Sequence, residues 1–229
     1  MEKELNILVA CEESQTVCKE FRRLGHNVFS CDLQECSGGH PEWHIRMDAR
    51  LLLEGGVMFA TDDGKTHYIE KWDLIIVHPP CTYMSKAGAR WMYPTAGNIS
   101  EKRYKLAMEA KKFFMTFLNC NCEHVAVENP VPLKVVELPK PTQAIQPYEY
   151  GEPYSKKTLL WLKGLPKLEP TDICEKHTPY LPSNTGAFSR GGGGSRGVAH
   201  DAKTASKTFK GIAKAMAEQW SKYLEEEHS

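Results

Sequence analysis

The chain has 229 residues, 25% of them charged and 41% hydrophobic, and its 29 basic residues are balanced by 29 acidic ones. This is ordinary globular composition. It excludes a disordered tail protein and allows one sizeable core, so a single domain over 1–229 is expected, and the zero net charge by itself points to no partner. No apolar run reaches the roughly 18 residues that span a bilayer, and the Met1-Glu2-Lys3-Glu4 start lacks the profile of a secretory signal, so a cytoplasmic protein with no membrane partner is predicted, a monomer being favoured.

Asn6 to Cys11 is a short apolar run, followed by Val17, Cys18, Phe21 and Leu24 at helical spacing. Gly25 ends that helix, and His26 to Asp32 reads as a second strand, giving the strand-helix-strand unit that builds parallel sheets. Between Val57 and Ile69 a hairpin is expected around Asp62-Asp63-Gly64, as an excursion from the sheet. Trp72 to His78 is the strongest buried-strand signal. Glu101 to Leu118 reads as a helix with Leu106, Ala110, Phe113, Phe114 and Phe117 on its apolar face, and His124 to Asn129 as another strand. Thr158 to Lys163 is a late strand. Residues 165–205 are rich in Pro, Gly, Ser and Thr and read as a loop-rich segment, after which Ile212, Met216, Trp220 and Leu224 mark a closing helix at about 209–225 that packs back on the core. The fold class is therefore α/β: an open, mostly parallel, Rossmann-like sheet with helices on both faces and its site at the carboxyl edge.

Three strand ends carry chemistry-bearing residues: Asp32, the His78-Pro79-Pro80-Cys81 turn and Glu128-Asn129-Pro130. Two prolines make a stiff, extended exit from the strand before Cys81, which suits a positioned thiol; a structural cysteine in a proline turn fits equally well. Glu128 ends an apolar strand, where a carboxylate is costly unless paired or functional. From Gly151 to Ala215 there are 11 Lys/Arg against 5 Asp/Glu, a surplus of six that suits a polyanion-facing surface or a solvated basic face. Eight cysteines without a secretory signal read as reduced thiols. The sets Cys36, His40, His44 and Cys120, Cys122, Cys174, His177 lack paired CxxC spacing, so no metal site is expected.

The runs DLIIVHPPCTYMS (73–85), VENP (127–130), YGEPYSKKTLLWLKG (150–164) and SKTFKGIAKAMAEQW (206–220) resemble, in order and spacing, the DNA (cytosine-5) methyltransferase family, in particular its short phage- or prophage-type members. The resemblance implies transfer of a methyl group from S-adenosyl-L-methionine to carbon 5 of cytosine in DNA. It assigns Cys81 as the nucleophile that adds to carbon 6, Glu128 as the acid at ring nitrogen 3, and Lys156 or Lys157 to the catalytic work of a family arginine. For the cofactor it implies Cys11, Glu12, Glu13 and Ser14 in the first loop, Asp32 on the ribose with Leu33, Asp48 near the adenine, and His78 and Pro80. For nucleic acid it implies Ser85, Lys156, Lys207, and Arg190 and Arg196 around the Gly191 to Gly194 loop. The chain departs from the family where Cys11 to Gln15 contains no glycine, where Tyr154, Lys156 and Thr158 replace a glutamine and two arginines, and where only about 40 residues stand in place of a target-recognition domain. Other base-modifying reactions on the same scaffold, on RNA, a nucleotide or an exocyclic amine, and a non-catalytic nucleic-acid-binding protein are the alternatives.

Overall fold

A computed structural model describes residues 4–180 and 206–227. In chain order its strands are β1 (Asn6–Ala10), β2 (Asn27–Asp32), β3 (His44–Arg46), β4 (Val57–Ala60), β5 (Thr66–Ile69), β6 (Leu74–Val77), β7 (Val125–Pro130), β8 (Gln143–Ile145), β9 (Tyr154–Ser155), β10 (Thr158–Lys163) and β11 (Thr178–Pro179). Its α-helices are α1 (Thr16–Arg23), α2 (Ala89–Met92), α3 (Glu101–Leu118) and α4 (Lys210–Glu227). Seven strands form one sheet in the order β3-β2-β1-β6-β7-β10-β8, parallel except for β10, which runs antiparallel to both of its neighbours. This is a Rossmann-like α/β fold. The strand order turns back between β1 and β6, so a crevice opens at the carboxyl ends of these strands.

The interior strands are mostly apolar, and β6 wholly so, because both faces of the sheet are covered. Alternation divides them. Leu8, Ala10, Phe29, Cys31, Ile75, Val77, Val125 and Val127 face the layer of α3, with Ala107, Phe114 and Phe117. Ile7, Val9, Val28, Leu74, Ile76, Ala126 and Leu160 face α1 and α4, with Val17, Phe21, Ile212, Met216, Trp220 and Leu224. In α3 the buried stripe is Ala107, Phe114 and Phe117, with Ala110 and Phe113 only partly buried and Leu106 outside the core. Sequence periodicity had favoured Leu106; the helix is rotated so that Arg103 and Ala107 lie inward, toward the loop that follows β6, as Arg103 donates to the Thr82 carbonyl. The hairpin forms β4 and β5 as a separate two-stranded sheet, packed by Phe59 and Ile69 beside Trp72 and Phe29.

Helix α1 starts without a side-chain cap from its neighbour; instead the buried Glu12 carboxylate accepts from Val17 N (2.6 Å) and Cys18 N (3.2 Å), satisfying two amides that have no partner within the helix. Helix α4 crosses the same face. Its Trp220 Nε1 donates to the Pro166 carbonyl (3.1 Å), Ser221 Oγ lies 2.7 Å from His26 Nε2, and Glu227 Oε2 lies 2.9 Å from His124 Nε2. Among the described residues, no helix is long and apolar enough to cross a membrane.

At Gly211 a Cβ would overlap the carbonyl oxygen of Tyr150, so glycine lets α4 approach the chain between β8 and β9. Gly211→Ala should therefore destabilise by about 1–3 kcal/mol, although alanine is the better helix former, through forced displacement of α4. Urea denaturation checks this, and a stabilised variant would show that the contact does not constrain the helix.

Candidate active site

Register builds the site. Val77 pairs with Val127 in the parallel β6–β7 ladder, so His78 and Glu128 follow side by side, and alternation turns both toward the face of α1 and α4. His78 Nδ1 and Glu128 Oε2 are 3.0 Å apart, with side chains 10% and 15% exposed. Asn129, itself buried, points the other way and donates from Nδ2 to the Pro79 carbonyl (3.1 Å), tying the tip of β7 to the proline turn. The turn then closes on itself: Met84 N and Ser85 N donate to the Cys81 carbonyl at 3.1 and 2.9 Å. Arg103 clamps it from α3, donating to Thr82 O and lying over the Tyr83 ring at 4.5 Å. Cys81 is thus held half-buried in this turn, within reach of the Glu128 charge.

The charges of this cluster are coupled. For Glu128, burial favours the neutral form, but the hydrogen bond and charge of His78 and the charge of Lys156 outweigh it and hold the carboxyl below its ordinary range. For His78, burial favours the neutral ring, but the hydrogen bond and charge of Glu128, with the charge of Glu12, raise it above its ordinary value. Each of the two thereby favours the charged form of the other. Burial, and after it the Glu128 charge, pushes the Cys81 thiol up, while Lys156 and a hydrogen bond with Ser85 pull it down.

An open, shallow cleft continues from Glu128, lined by Lys156, Thr158, Ser206, Lys207, Thr208, Phe209 and Ile212. Lys156 Nζ lies 5.7 Å from the centre of the Phe209 ring. Lys156 therefore belongs to the site, whereas Lys157 is exposed and outside the cleft. Lys207 lies exposed on the cleft wall, where a phosphate can reach it. Ser85, expected to contact nucleic acid, is 4% exposed, is bridged to Pro132 and lies in the Cys81 turn. Arg190, Arg196 and the Gly191 to Gly194 loop lie outside the described residues.

On the cofactor side, the β1–α1 loop does without glycine by placing Cys11 (φ 58°) and Gln15 (φ 57°) in the left-handed region. The surroundings hold that conformation: Gln15 is fully buried, its Nε2 donates to Ser30 Oγ (3.2 Å) and His40 O (2.8 Å), and its Oε1 accepts from His40 N (3.1 Å). Glu12 is committed to α1, Glu13 pairs with the Ser37 hydroxyl, and Ser14 Oγ meets Thr16 Oγ1 at 3.1 Å. Burial, with Asp32 second, pushes the Cys11 thiol well above its ordinary value, so Cys11 is an inert wall. Asp32, at the carboxyl end of β2, accepts one hydrogen bond among the described residues, from Gln34 N (2.9 Å), and the next residue, Leu33, is 74% exposed. A carboxylate with spare acceptor capacity beside open apolar surface fits the ribose and base of an adenosine group. Asp48 fits less well, because Arg50 and the turn it caps, Ala49–Leu52, occupy its carboxylate and hold it below the usual range. Pro80 is exposed in the turn. Among the described residues no group of His, Cys, Asp or Glu could hold a metal ion. Sequence reasoning did not find Arg103, Phe209 or the role of Asn129; the one signal for Asn129 was an amide at the end of an otherwise apolar strand.

No protein-family model matches the chain, and no curated protein matches it. Similar solved structures include a protein described as a DNA modification methyltransferase encoded within a prophage (E. coli), 14% identical, TM-score 0.45, covering 75% of this chain and 52% of that one. Others are the Entamoeba histolytica methyltransferase EhMeth, 12% identical, TM-score 0.39, covering 75% of this chain and 58% of that one, and the S. pombe Dnmt2 methyltransferase, 11% identical, TM-score 0.40, covering 72% and 50%. The chain spans little more than half the length of these structures. The strand order and the single reversed strand define the Rossmann-like α/β class.

Because Glu128 raises the Cys81 thiol and Lys156 lowers it, Glu128→Gln should speed alkylation of Cys81 at neutral pH and Lys156→Met should slow it, each by up to about tenfold. Peptide mass mapping after brief iodoacetamide treatment separates Cys81 from the other thiols. Equal rates in all three proteins would show that neither charge reaches the sulfur.

Proposed function

We propose that the chain is a DNA methyltransferase that transfers a methyl group from S-adenosyl-L-methionine to carbon 5 of cytosine through a covalent Cys81 adduct. The observation that carries this reading is the joining of the Pro79-Pro80-Cys81 turn to the Glu128 strand tip, by the β6–β7 register and the Asn129–Pro79 hydrogen bond, beside one cleft. A thiol and a carboxyl held side by side can address one face and one edge of a single pyrimidine ring.

Carbon 5 of cytosine is too weak a nucleophile to take a methyl group unaided. When the Cys81 thiolate forms a bond to carbon 6, the carbon 5–carbon 6 electron pair moves between carbons 4 and 5, and the carbon 4–nitrogen 3 pair moves onto nitrogen 3, which takes a proton at Glu128. The bound cofactor supplies an electrophilic sulfonium methyl group to the carbon 5 so activated. A base then removes the carbon 5 proton, those electrons restore the carbon 5–carbon 6 double bond, the thiolate leaves, and nitrogen 3 returns its proton. The reacting atoms are inaccessible inside a duplex, so the base must leave the stack; the cleft beside Glu128, with Phe209 and the Lys156 and Lys207 ammonium groups, offers it an aromatic wall and phosphate contacts. Asp32 and Leu33 would hold the adenosine end of the cofactor.

The decisive experiment incubates the protein with labelled cofactor and DNA containing 5-fluorocytosine, whose carbon 5 cannot lose a proton. A covalent adduct is expected, absent in Cys81→Ala; label transfer to unmodified DNA that survives Cys81→Ala overturns the mechanism, and transfer to RNA alone overturns the substrate. Asp32→Ala should weaken cofactor binding, measured by calorimetry, by about 10- to 100-fold through loss of charge-assisted hydrogen bonds; unchanged affinity would remove Asp32 from the cofactor site.

A further inference from the structure

The resemblance places His78 beside the cofactor, but the geometry gives it a second employment. Its Nδ1 bonds Glu128 Oε2 at 3.0 Å, while its Nε2 is buried with no hydrogen-bond partner among the described residues. The charged groups that act on it come from three elements: Glu128 on β7, Glu12 on the loop between β1 and α1, and Lys156 on the connection between β9 and β10. As packing this is a poor use of the position. An imidazole with one unpaired buried nitrogen costs free energy that an apolar side chain would not, and the surrounding strand, Leu74–Val77, is wholly apolar.

We propose that His78 is the proton store of the base site, a positioning residue that orients the Glu128 carboxyl and supplies, through the Nδ1–Oε2 hydrogen bond, the proton that nitrogen 3 of cytosine receives. This rests on the cytosine-5 reading and deepens it. A proton donor at nitrogen 3 is required at neutral pH, where Glu128 by itself is ionised and has no proton to give. The pair holds one proton, resting on the imidazole. As the Cys81 sulfur bonds to carbon 6 and electrons arrive at nitrogen 3, that proton moves from Nδ1 to the carboxyl and from the carboxyl to nitrogen 3, leaving a neutral imidazole and a carboxylate. It returns by the same path when the thiolate is expelled, so the pair ends each cycle as it began. The electrostatics agree in sign: burial would strip the ring of its proton, and Glu128 and Glu12 outweigh burial, keeping the ring protonated above its ordinary range, while the same contact holds Glu128 ionised.

His78→Asn tests the proposal, because its side-chain amide can still donate to Glu128 but cannot titrate. Single-turnover adduct formation on 5-fluorocytosine DNA, followed from acid to alkaline pH with saturating cofactor, should rise and then fall in the wild type, whose active form needs both the thiolate and the imidazolium. In His78→Asn the falling limb should vanish, and the rate near neutrality should drop by about 10²-fold. A variant that keeps the falling limb, or the wild-type rate, overturns the proposal. Nitrogen-15 NMR of the wild-type imidazole, in the protein without DNA, needs no variant to fold: His78 should carry protons on both nitrogens at neutral pH and lose one in Glu128→Gln. A neutral ring in the wild type overturns the proposal as well. A wild type that forms no Cys81 adduct overturns the cytosine-5 reading and the use of the proton with it, whereas adduct formation with an unaltered His78→Asn profile overturns the proposal alone.

Discussion

The pairing of Val77 with Val127 is the constraint on which the site depends. Side chains alternate across a strand, so a slip of one residue between β6 and β7 would carry Glu128 into the apolar layer of α3, among Phe114 and Phe117, and leave His78 without its partner. The cost of burying an unpaired carboxylate there opposes the slip in addition to the apolar packing. The polar residues of the proposed site therefore also help to set the register that brings them together. Asn129 adds to this. Pointing opposite to Glu128, it reaches the Pro79 carbonyl, so that the two strand tips are joined on both faces of the sheet.

Electrostatic balance follows from that geometry. Glu12 and Glu128 are countered by His78 and Lys156, and the groups come from separate elements that only the folded chain assembles. Buried ion pairs contribute little net stability, because desolvation consumes most of the Coulomb energy. An arrangement that is weak as a stabiliser yet moves a histidine, a glutamate and a cysteine in defined directions is better explained by what it does at the cleft. Burial and the Glu128 charge favour the protonated form of the Cys81 thiol, while Lys156 opposes them.

The sheet was legible in the sequence because each interior strand is a short apolar run ending in a polar residue, and the ends are where the chemistry lies. Cys81 and Glu128 stood out for that reason. The β1–α1 loop was less legible: glycine is the usual means to a left-handed backbone, and here Cys11 and Gln15 adopt it instead, held by Gln15 bonds to Ser30 and His40 that are distant in sequence. The same long-range dependence hid Arg103, whose place is fixed by the Thr82 carbonyl rather than by any helical period, and turned the α3 stripe from Leu106 to Ala107. Ser85 was assigned by the resemblance alone, and the hydrogen-bonded turn beneath Cys81 buries it.

Helix α4 joins stability to the site. Its middle is core: Ile212, Met216, Trp220 and Leu224 pack on the sheet, and its last described residue, Glu227, bonds His124 just before β7 begins. Its first turn, however, is cleft wall, since Ile212 and the preceding Phe209 line the space in front of Glu128 at the opposite end of the same strand. A single rigid element thus spans β7 from its entry to its functional tip, and burial of Trp220 in the middle helps to set the width of the cleft. The apolar spacing that makes α4 an unremarkable packing helix is for this reason also a determinant of what the cleft can admit, and a substitution deep in its core should be felt at the strand tip before the fold is lost.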